Sequence, residues 1–309
     1  MNYTKTCNTF KSSNCSTDIT YYIYEPFTEP KAIVQISHGM CEYIERYEPF
    51  IEFLTAHGFL VCGNDHLGHK NSTPSDDKLG YFAPANGWSF LVDDLSILTK
   101  IIKEQYPALP VFLLGHSMGS FVARLYITRY ADLINGVLIC GTSGSNPLIG
   151  IAEIITNAVK KVKGPFHRSK LINSLMFGTY NSKYENSKTT HDWLTRDEAL
   201  VDVFLKDKYC TFLFTTSAFC DLVALLKRVS QEESFKAIPK NLSYFLISGD
   251  MDPVGNWGKG LDEVKHRLEK ENLEDFSSKF YKDFRHEILN EIGKEEVYED
   301  ILIWLNQRI

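Results

Sequence analysis

The chain has 309 residues, of which 44% are hydrophobic and 23% charged, with 19 glycines and 11 prolines. Those proportions exclude a disordered, collagen-like or low-complexity protein, and this length buries a core without disulfide or metal staples. Lysine and arginine total 33 against 39 aspartates and glutamates, a net charge of −6 that gives nucleic acid no basic surface to meet.

The first 26 residues contain no apolar h-region, so no secretory signal is expected there. Their end, ITYYIYEP (19–26), reads as an antiparallel edge strand. Short apolar runs then alternate with longer amphipathic ones. AIVQIS (32–37), FLVCGN (59–64), VFLLG (111–115), GVLICG (136–141) and LSYFLIS (242–248) suit strands buried on both faces of a parallel sheet. Helices are expected over 44–57, 88–105, 118–130, 257–270 and 290–307, the last with Val297, Ile301 and Leu305 in one stripe. Lys279-Phe280-Tyr281 reads as a short final strand. Strands alternating with helices predict an α/β class chain built on a doubly wound, mostly parallel sheet flanked by helices.

About a hundred residues separate GVLICG from LSYFLIS, far more than one crossover needs. The stretch is mostly helical in pattern. We expect a core of 1–144 and 236–309 with an inserted helical cap, or lid, at 145–235. Leu148, Ile149, Ile151, Ile154, Ile155, Val159 and Val162 exceed one helix stripe, so either all of them pack on neighbouring cap helices and the sheet or part of them line an acyl channel above Ser117. Lys160, Lys161, Lys163, Arg168 and Lys170 form a basic run at the cap entrance, read as a solvated face or a transient contact with an anionic membrane surface.

The seven cysteines are scattered and contain no CxxC pair, which removes support for a zinc knuckle or a dithiol redox site. Cys62 and Cys140 lie in apolar runs and read as inert buried thiols. No window reaches 18 consecutive apolar residues. A reducing, cytoplasmic setting is the expectation.

Gly115-His116-Ser117-Met118-Gly119 is a GxSxG pentapeptide between an apolar strand and an amphipathic helix. This strand–turn–helix is a nucleophile elbow, where a strained turn exposes the serine hydroxyl. Gly115 and Gly119 leave room for the turn, and the Met118 N–H points from a helix start toward a developing oxyanion. An elbow serine is followed in sequence by an acid and then a histidine. Asp250 and Asp252 compete for the acid role after LSYFLIS. Asp252, further along the loop and before Pro253, is preferred, with Asp250 a loop-stabilising carboxylate. His286 lies after the last strand, where the base belongs. His38-Gly39-Met40 follows AIVQIS, so the Met40 N–H is the expected second oxyanion donor. Asp65-His66-Leu67-Gly68-His69 resembles a metal patch, with histidines three apart, but it lacks a convergent carboxylate pair or third ligand and serves more readily as a loop scaffold. Asp93 and Asp94 are expected only to solvate their helix.

The motifs QISHGMCEYIERY, NDHLGHKNS, GHSMGS, HDWLTRDEALVD, SGDMDPVG and FRHEILNE together resemble the lysophospholipase and monoacylglycerol lipase-like α/β-hydrolases, which overlap the serine aminopeptidase S33 family. The resemblance implies an α/β-hydrolase fold with a Ser117, Asp252, His286 triad and an oxyanion hole of Met40 and Met118. It implies hydrolysis of carboxylic esters of monoacyl lipids, monoacylglycerol or lysophospholipid, through an acyl-enzyme, without metal or organic cofactor. A serine aminopeptidase using cap acids Asp192, Glu198 and Asp202, a small-ester carboxylesterase, and a non-catalytic ligand-binding protein are the alternatives. One departure is Gly68-His69-Lys70-Asn71-Ser72, which sets a long cation where the family has a glycine near the pocket mouth.

Overall fold

The computed structural model describes residues 2–309. Eight strands form one sheet in the order β1-β2-β4-β3-β5-β6-β7-β8. β1 (Tyr3–Lys11) and β2 (Asp18–Pro26) make an antiparallel hairpin, and β2 also pairs antiparallel with β4 (Phe59–Asn64). From β4 onward all pairs are parallel, through β3 (Ala32–Ser37), β5 (Val111–His116), β6 (Gly136–Cys140), β7 (Ser243–Gly249) and β8 (Phe276–Tyr281). This is the arrangement expected of a doubly wound sheet with an antiparallel edge.

The central strands are apolar on both faces because each face meets its own helix layer. Val111 and Leu113 of β5 join one core cluster, while Phe112 and Leu114 join the other. The first cluster is covered by α2 (Gly87–Gln105), α3 (Met118–Tyr130) and α9 (Lys259–Lys270), and the second by α1 (Glu48–Ala56) and α10 (Lys294–Asn306).

The α3 helix spans its expected residues, whereas two others start late for local reasons. Residues Ile44–Tyr47 form a 3-10 turn before α1, with Pro49 in the first turn of the helix. α10 begins only at Lys294, after a 3-10 turn at Ile288–Asn290 and Gly293 at φ 90°. β1 has no expectation in the sequence analysis. Its residues are nearly all exposed and polar, so it carries no burial pattern and is held by backbone pairing to β2.

Between β6 and β7 run α4 (Ile149–Lys163), α5 (Lys170–Phe177), α6 (Glu198–Lys206), α7 (Thr216–Val229) and the short α8 (Glu232–Lys236). α7 packs on α4 and also on α2 and α3 of the core. Among the described residues no helix is long and apolar enough to cross a membrane.

Asp94 does more than solvate its helix, contrary to the sequence expectation. It is 1% exposed and accepts from Ser12 Oγ at 2.8 Å, Ser13 N at 2.6 Å and Ser13 Oγ at 2.7 Å. It thereby pins the β1–β2 turn to α2. Asp93 accepts from Tyr130 Oη at 2.8 Å.

Candidate active site

β5 ends at His116 and α3 starts at Met118, leaving Ser117 alone in the turn with φ 53° and ψ −123°. That conformation is costly for a residue with a Cβ, and it persists because the surroundings hold it. Ser117 N–H donates to the Cys140 carbonyl at 3.0 Å, and the Ser117 carbonyl accepts from Ser120 N at 2.8 Å. A Cβ on Gly119 would collide with the carbonyl oxygens of Ser37 and His38, so the helix meets β3 only with glycine there.

The loop after β3 comes equally close. A Cβ on Gly39 would strike Glu42 Oε1 and lie 2.9 Å from Ser117 Cβ. Gly39 N–H donates to Glu42 Oε1 at 2.5 Å and Cys41 N–H donates to His69 Nε2 at 3.3 Å. Between them, the Met40 N–H has no acceptor among the described residues, and neither does the Met118 N–H at the start of α3.

His286 Nδ1 lies 2.9 Å from Asp252 Oδ2, with His286 2% exposed and Asp252 fully buried. Asp252 also accepts from Val254 N at 2.8 Å and Ser248 Oγ at 3.3 Å, so its carboxylate is fixed. Asp250 instead accepts from Asp283 N at 2.7 Å and does not reach His286. Because Nδ1 donates to a carboxylate, His286 is left with Nε2 as its basic nitrogen.

Ser117, His286, Met40 and Met118 all line one cavity of about 840 Å³. Leu148, just before α4, and Ile149, Ile151 and Ile155 within it contribute to its wall. Val159 instead packs on the core, and Ile154 and Val162 are exposed. Lys70 is not among the lining residues. Its ammonium is bonded to Glu45 and sits 3.7 Å from the centre of the Tyr43 ring, which turns it from the pocket mouth.

Sequence reasoning overlooked the buried charges behind this cavity. Arg46 donates to Glu287 Oε1 at 3.0 Å and Oε2 at 2.9 Å, and to Glu42 Oε2 at 3.1 Å. His116 Nδ1 is 3.0 Å from Glu42 Oε1, and its Nε2 is 3.3 Å from the His286 carbonyl. The Tyr47 hydroxyl also lies 3.0 Å from His116 Nδ1, so that nitrogen faces both a carboxylate and a phenol. Burial alone would lower the His116 pKa, but Glu42 raises it above the ordinary value. Burial likewise opposes the Glu42 charge, yet His116 and Arg46 hold its pKa down to about 2. Glu287, buried beside Arg46, is also held below the usual carboxylate range. Two carboxylates thus share one guanidinium and one imidazole. The available signal was the four-residue spacing of Glu42 and Arg46, and the place of Glu287 next to His286.

The segment before α6 ties the His286 loop down. His286 N–H donates to Trp193 O at 3.3 Å and Glu287 N–H to Leu194 O at 2.7 Å. The Trp193 ring lies 5.0 Å from that of His286. Glu291 accepts from Thr195 Oγ1 at 3.0 Å and Arg196 N at 2.9 Å.

Residues 28–293 match the family model described as serine aminopeptidase, S33. The chain belongs to that family. This S33 chain is 26% identical to a monoglyceride lipase homolog of Monkeypox virus, over 96% of this chain and 99% of that one. It is also 26% identical to the human monoglyceride lipase, over 92% of this chain and 86% of the relative. Among solved structures, a thermostable carboxyl esterase from Bacillus coagulans in complex with glycerol superposes with a TM-score of 0.92 at 28% identity. That match covers 98% of each chain.

The remaining sequence candidates fall outside the cavity wall. Asp192 is taken up by Lys188 N at 2.5 Å and the Thr189 hydroxyl, and Glu198 by Lys188 Nζ at 2.7 Å. Asp202 is exposed. The basic run divides: Lys160 Nζ donates to Pro84 O at 2.6 Å and Arg168 to Leu79 O at 2.6 Å, both as struts. Lys161, Lys163 and Lys170 have no ion-pair partner among the described residues.

Proposed function

We propose that this S33 chain is a serine hydrolase that cleaves carboxylic esters of monoacyl lipids. The observation that carries this reading is the convergence on one cavity of a strained Ser117, the His286–Asp252 pair and two unengaged amide N–H groups. Ser117 Oγ attacks the ester carbonyl while His286 Nε2 takes its proton. Asp252 holds the imidazole in the required tautomer and stabilises the imidazolium. The Met40 and Met118 N–H groups bind the tetrahedral oxyanion. The protonated His286 gives its proton to the leaving alcohol. Water then attacks the acyl-enzyme with His286 again as base, and Ser117 is regenerated.

The wall supports the choice of substrate class. Aliphatic side chains of α4 and α5 suit one acyl chain, and each buried methylene contributes roughly 0.8 kcal/mol. The relatives named monoglyceride lipase support the same choice. An aminopeptidase would need a carboxylate free to hold an amine. The carboxylates on the wall, Glu42 and Glu287, are both committed to Arg46, and the cap acids lie elsewhere.

The 145–235 segment acts as a cap in this reading. Its outer face carries Ile154, Val162 and Leu171, exposed by 70%, 77% and 61%, with Lys161, Lys163 and Lys170 nearby in sequence. That mixture supports transient docking on an anionic lipid surface. All seven cysteines are free thiols, which favours a reducing, cytoplasmic setting.

The test is a kcat/KM series on monomeric 1-acylglycerols from two to twelve acyl carbons, beside lysophosphatidylcholine, trioleoylglycerol and alanyl p-nitroanilide. Labelling by a fluorophosphonate counts active serines. A rise with acyl length and little triacylglycerol cleavage is expected. A flat series, or preference for the anilide, would overturn the monoacyl-ester reading, and failure to label would overturn catalysis itself.

A further inference from the structure

Three histidines the mechanism does not use lie directly under the Met40 loop. His38, His66 and His69 are fully buried, with ring centroids 4.3 Å apart for His38 and His66 and 5.1 Å apart for His38 and His69. Their bonds dictate their protons. His38 Nδ1 is 2.8 Å from Gly39 O, and a carbonyl only accepts, so Nδ1 carries the hydrogen. His38 Nε2 is then bare and accepts from His66 N–H at 2.8 Å. In the same way His69 Nδ1 donates to Leu67 O at 3.3 Å, leaving Nε2 to accept from Cys41 N–H at 3.3 Å. Both rings are neutral in this arrangement. Burial lowers the pKa of both rings; at His38 the neighbouring histidines add to that effect, whereas at His69, lowered to about 4, burial prevails over neighbours that oppose it.

The peptide between Gly39 and Met40 therefore has its carbonyl gripped by His38. The next amide along, that of Cys41, is gripped by His69, and the preceding one by Glu42. We propose that His38 and His69 are positioning residues that clamp the two peptides flanking Met40, so that the one amide left unengaged is fixed in orientation toward the Ser117 site. This rests on the reading of Met40 N–H as an oxyanion donor. The clamp also polarises the amide, since a bond accepted by a carbonyl strengthens donation by the N–H of the same peptide. An oxyanion donor gains its effect from being preorganised, so loosening it costs the transition state more than the bound substrate.

Two polar variants separate clamping from packing. The His69→Asn side chain reaches the Nδ1 position and Leu67, but stops short of Cys41. The His69→Gln side chain places an acceptor where Nε2 stood. We expect His69→Asn to lower kcat roughly tenfold or more, with KM within about threefold, and to weaken inhibition by a long-chain trifluoromethyl ketone in parallel. His69→Gln should recover kcat to within about threefold of the parent. Equal impairment of both variants, a loss confined to KM, or an undisturbed kcat in folded His69→Asn overturns the clamp.

A separate measurement tests the underlying reading. Replacing Met40 by its α-hydroxy acid exchanges that N–H for an ester oxygen and should cost roughly 10²–10³ in kcat. No loss there removes Met40 as a donor, and the clamp with it. A loss there beside an active His69→Asn removes the clamp alone.

Discussion

Arg46 and Glu287, 241 positions apart in the chain, meet as a two-pronged ion pair directly behind the His286 loop. Their side chains are only 13% and 4% exposed. A pair this buried is weak evidence for net stabilisation, but breaking it by removing one partner strands a charge. Arg46→Met should therefore destabilise the fold by about 3–5 kcal/mol, and Arg46→Met with Glu287→Gln by less than the sum of the single changes. Urea unfolding of the four proteins checks this. Strict additivity would show that the two side chains do not act on each other.

The same cluster sets a pH window. Glu42 titrates at about 2 and Glu287 below its ordinary value, so both are depressed relative to the unfolded chain. Their contribution is whole above roughly pH 4.5 and is lost as pH falls toward 2. His116 is raised above 6.5, so its contribution is whole below that value and is lost as pH climbs through the folded pKa. Stability measured from pH 2 to 9 should fall at both ends, and His116→Gln should flatten the alkaline limb. An unchanged alkaline limb in that variant would show that His116 is not charged in the fold.

Ser117→Ala and His286→Ala should each reduce kcat by roughly 10⁵–10⁶, and the double variant should be little worse than either. Steady-state rates with a soluble ester decide it. Losses that multiply would mean that the serine and the histidine do not work as a unit.

Asp252→Asn should cost roughly 10⁴ in kcat through the wrong imidazole tautomer. Asp250→Asn removes only an acceptor for Asp283 N–H and should act mainly on local stability. Comparable kinetic losses in two equally folded variants would break the assignment of the acid.

Ile154→Glu combined with Leu171→Glu places two anions on the outer apolar face without touching the cavity wall. Hydrolysis of a long-chain ester presented in anionic vesicles should drop roughly tenfold or more. Cleavage of a soluble butyrate ester should stay unchanged. Equal activity on both presentations would remove this face from lipid docking.

Much of the sheet was legible because its central strands are buried on both sides, and so read as unbroken apolar runs. β5 and β6 are the clearest cases. β1 was not, since a strand held by backbone pairing at an exposed edge has no apolar period to detect. The elbow at Ser117 was visible in five residues because local sterics demand those glycines. The bonds linking Glu42, Arg46, His116 and Glu287 join separate parts of the chain, and no local pattern encodes them. Asp94 was misread for the same reason. Its partners, Ser12 and Ser13, lie on a turn some eighty residues earlier. Lys70 was placed by analogy near the pocket mouth, but its charge found Glu45 instead.

The bonds from Trp193 and Leu194 to the His286 loop bear on how the inserted segment could be exchanged. A graft that replaced everything between β6 and β7 would remove the carbonyls that hold the His286 and Glu287 amides. It would also strip Glu291 of Thr195 and Arg196. The transplantable unit is therefore narrower than the gap in the sheet: its later boundary lies before residue 190, and the stretch from there to 196 belongs with the recipient's own histidine loop. Chimaeras cut on the near side of Trp193 keep His286 in register, whereas those cut beyond it bring in a foreign pocket and lose the bonds that hold the His286 loop.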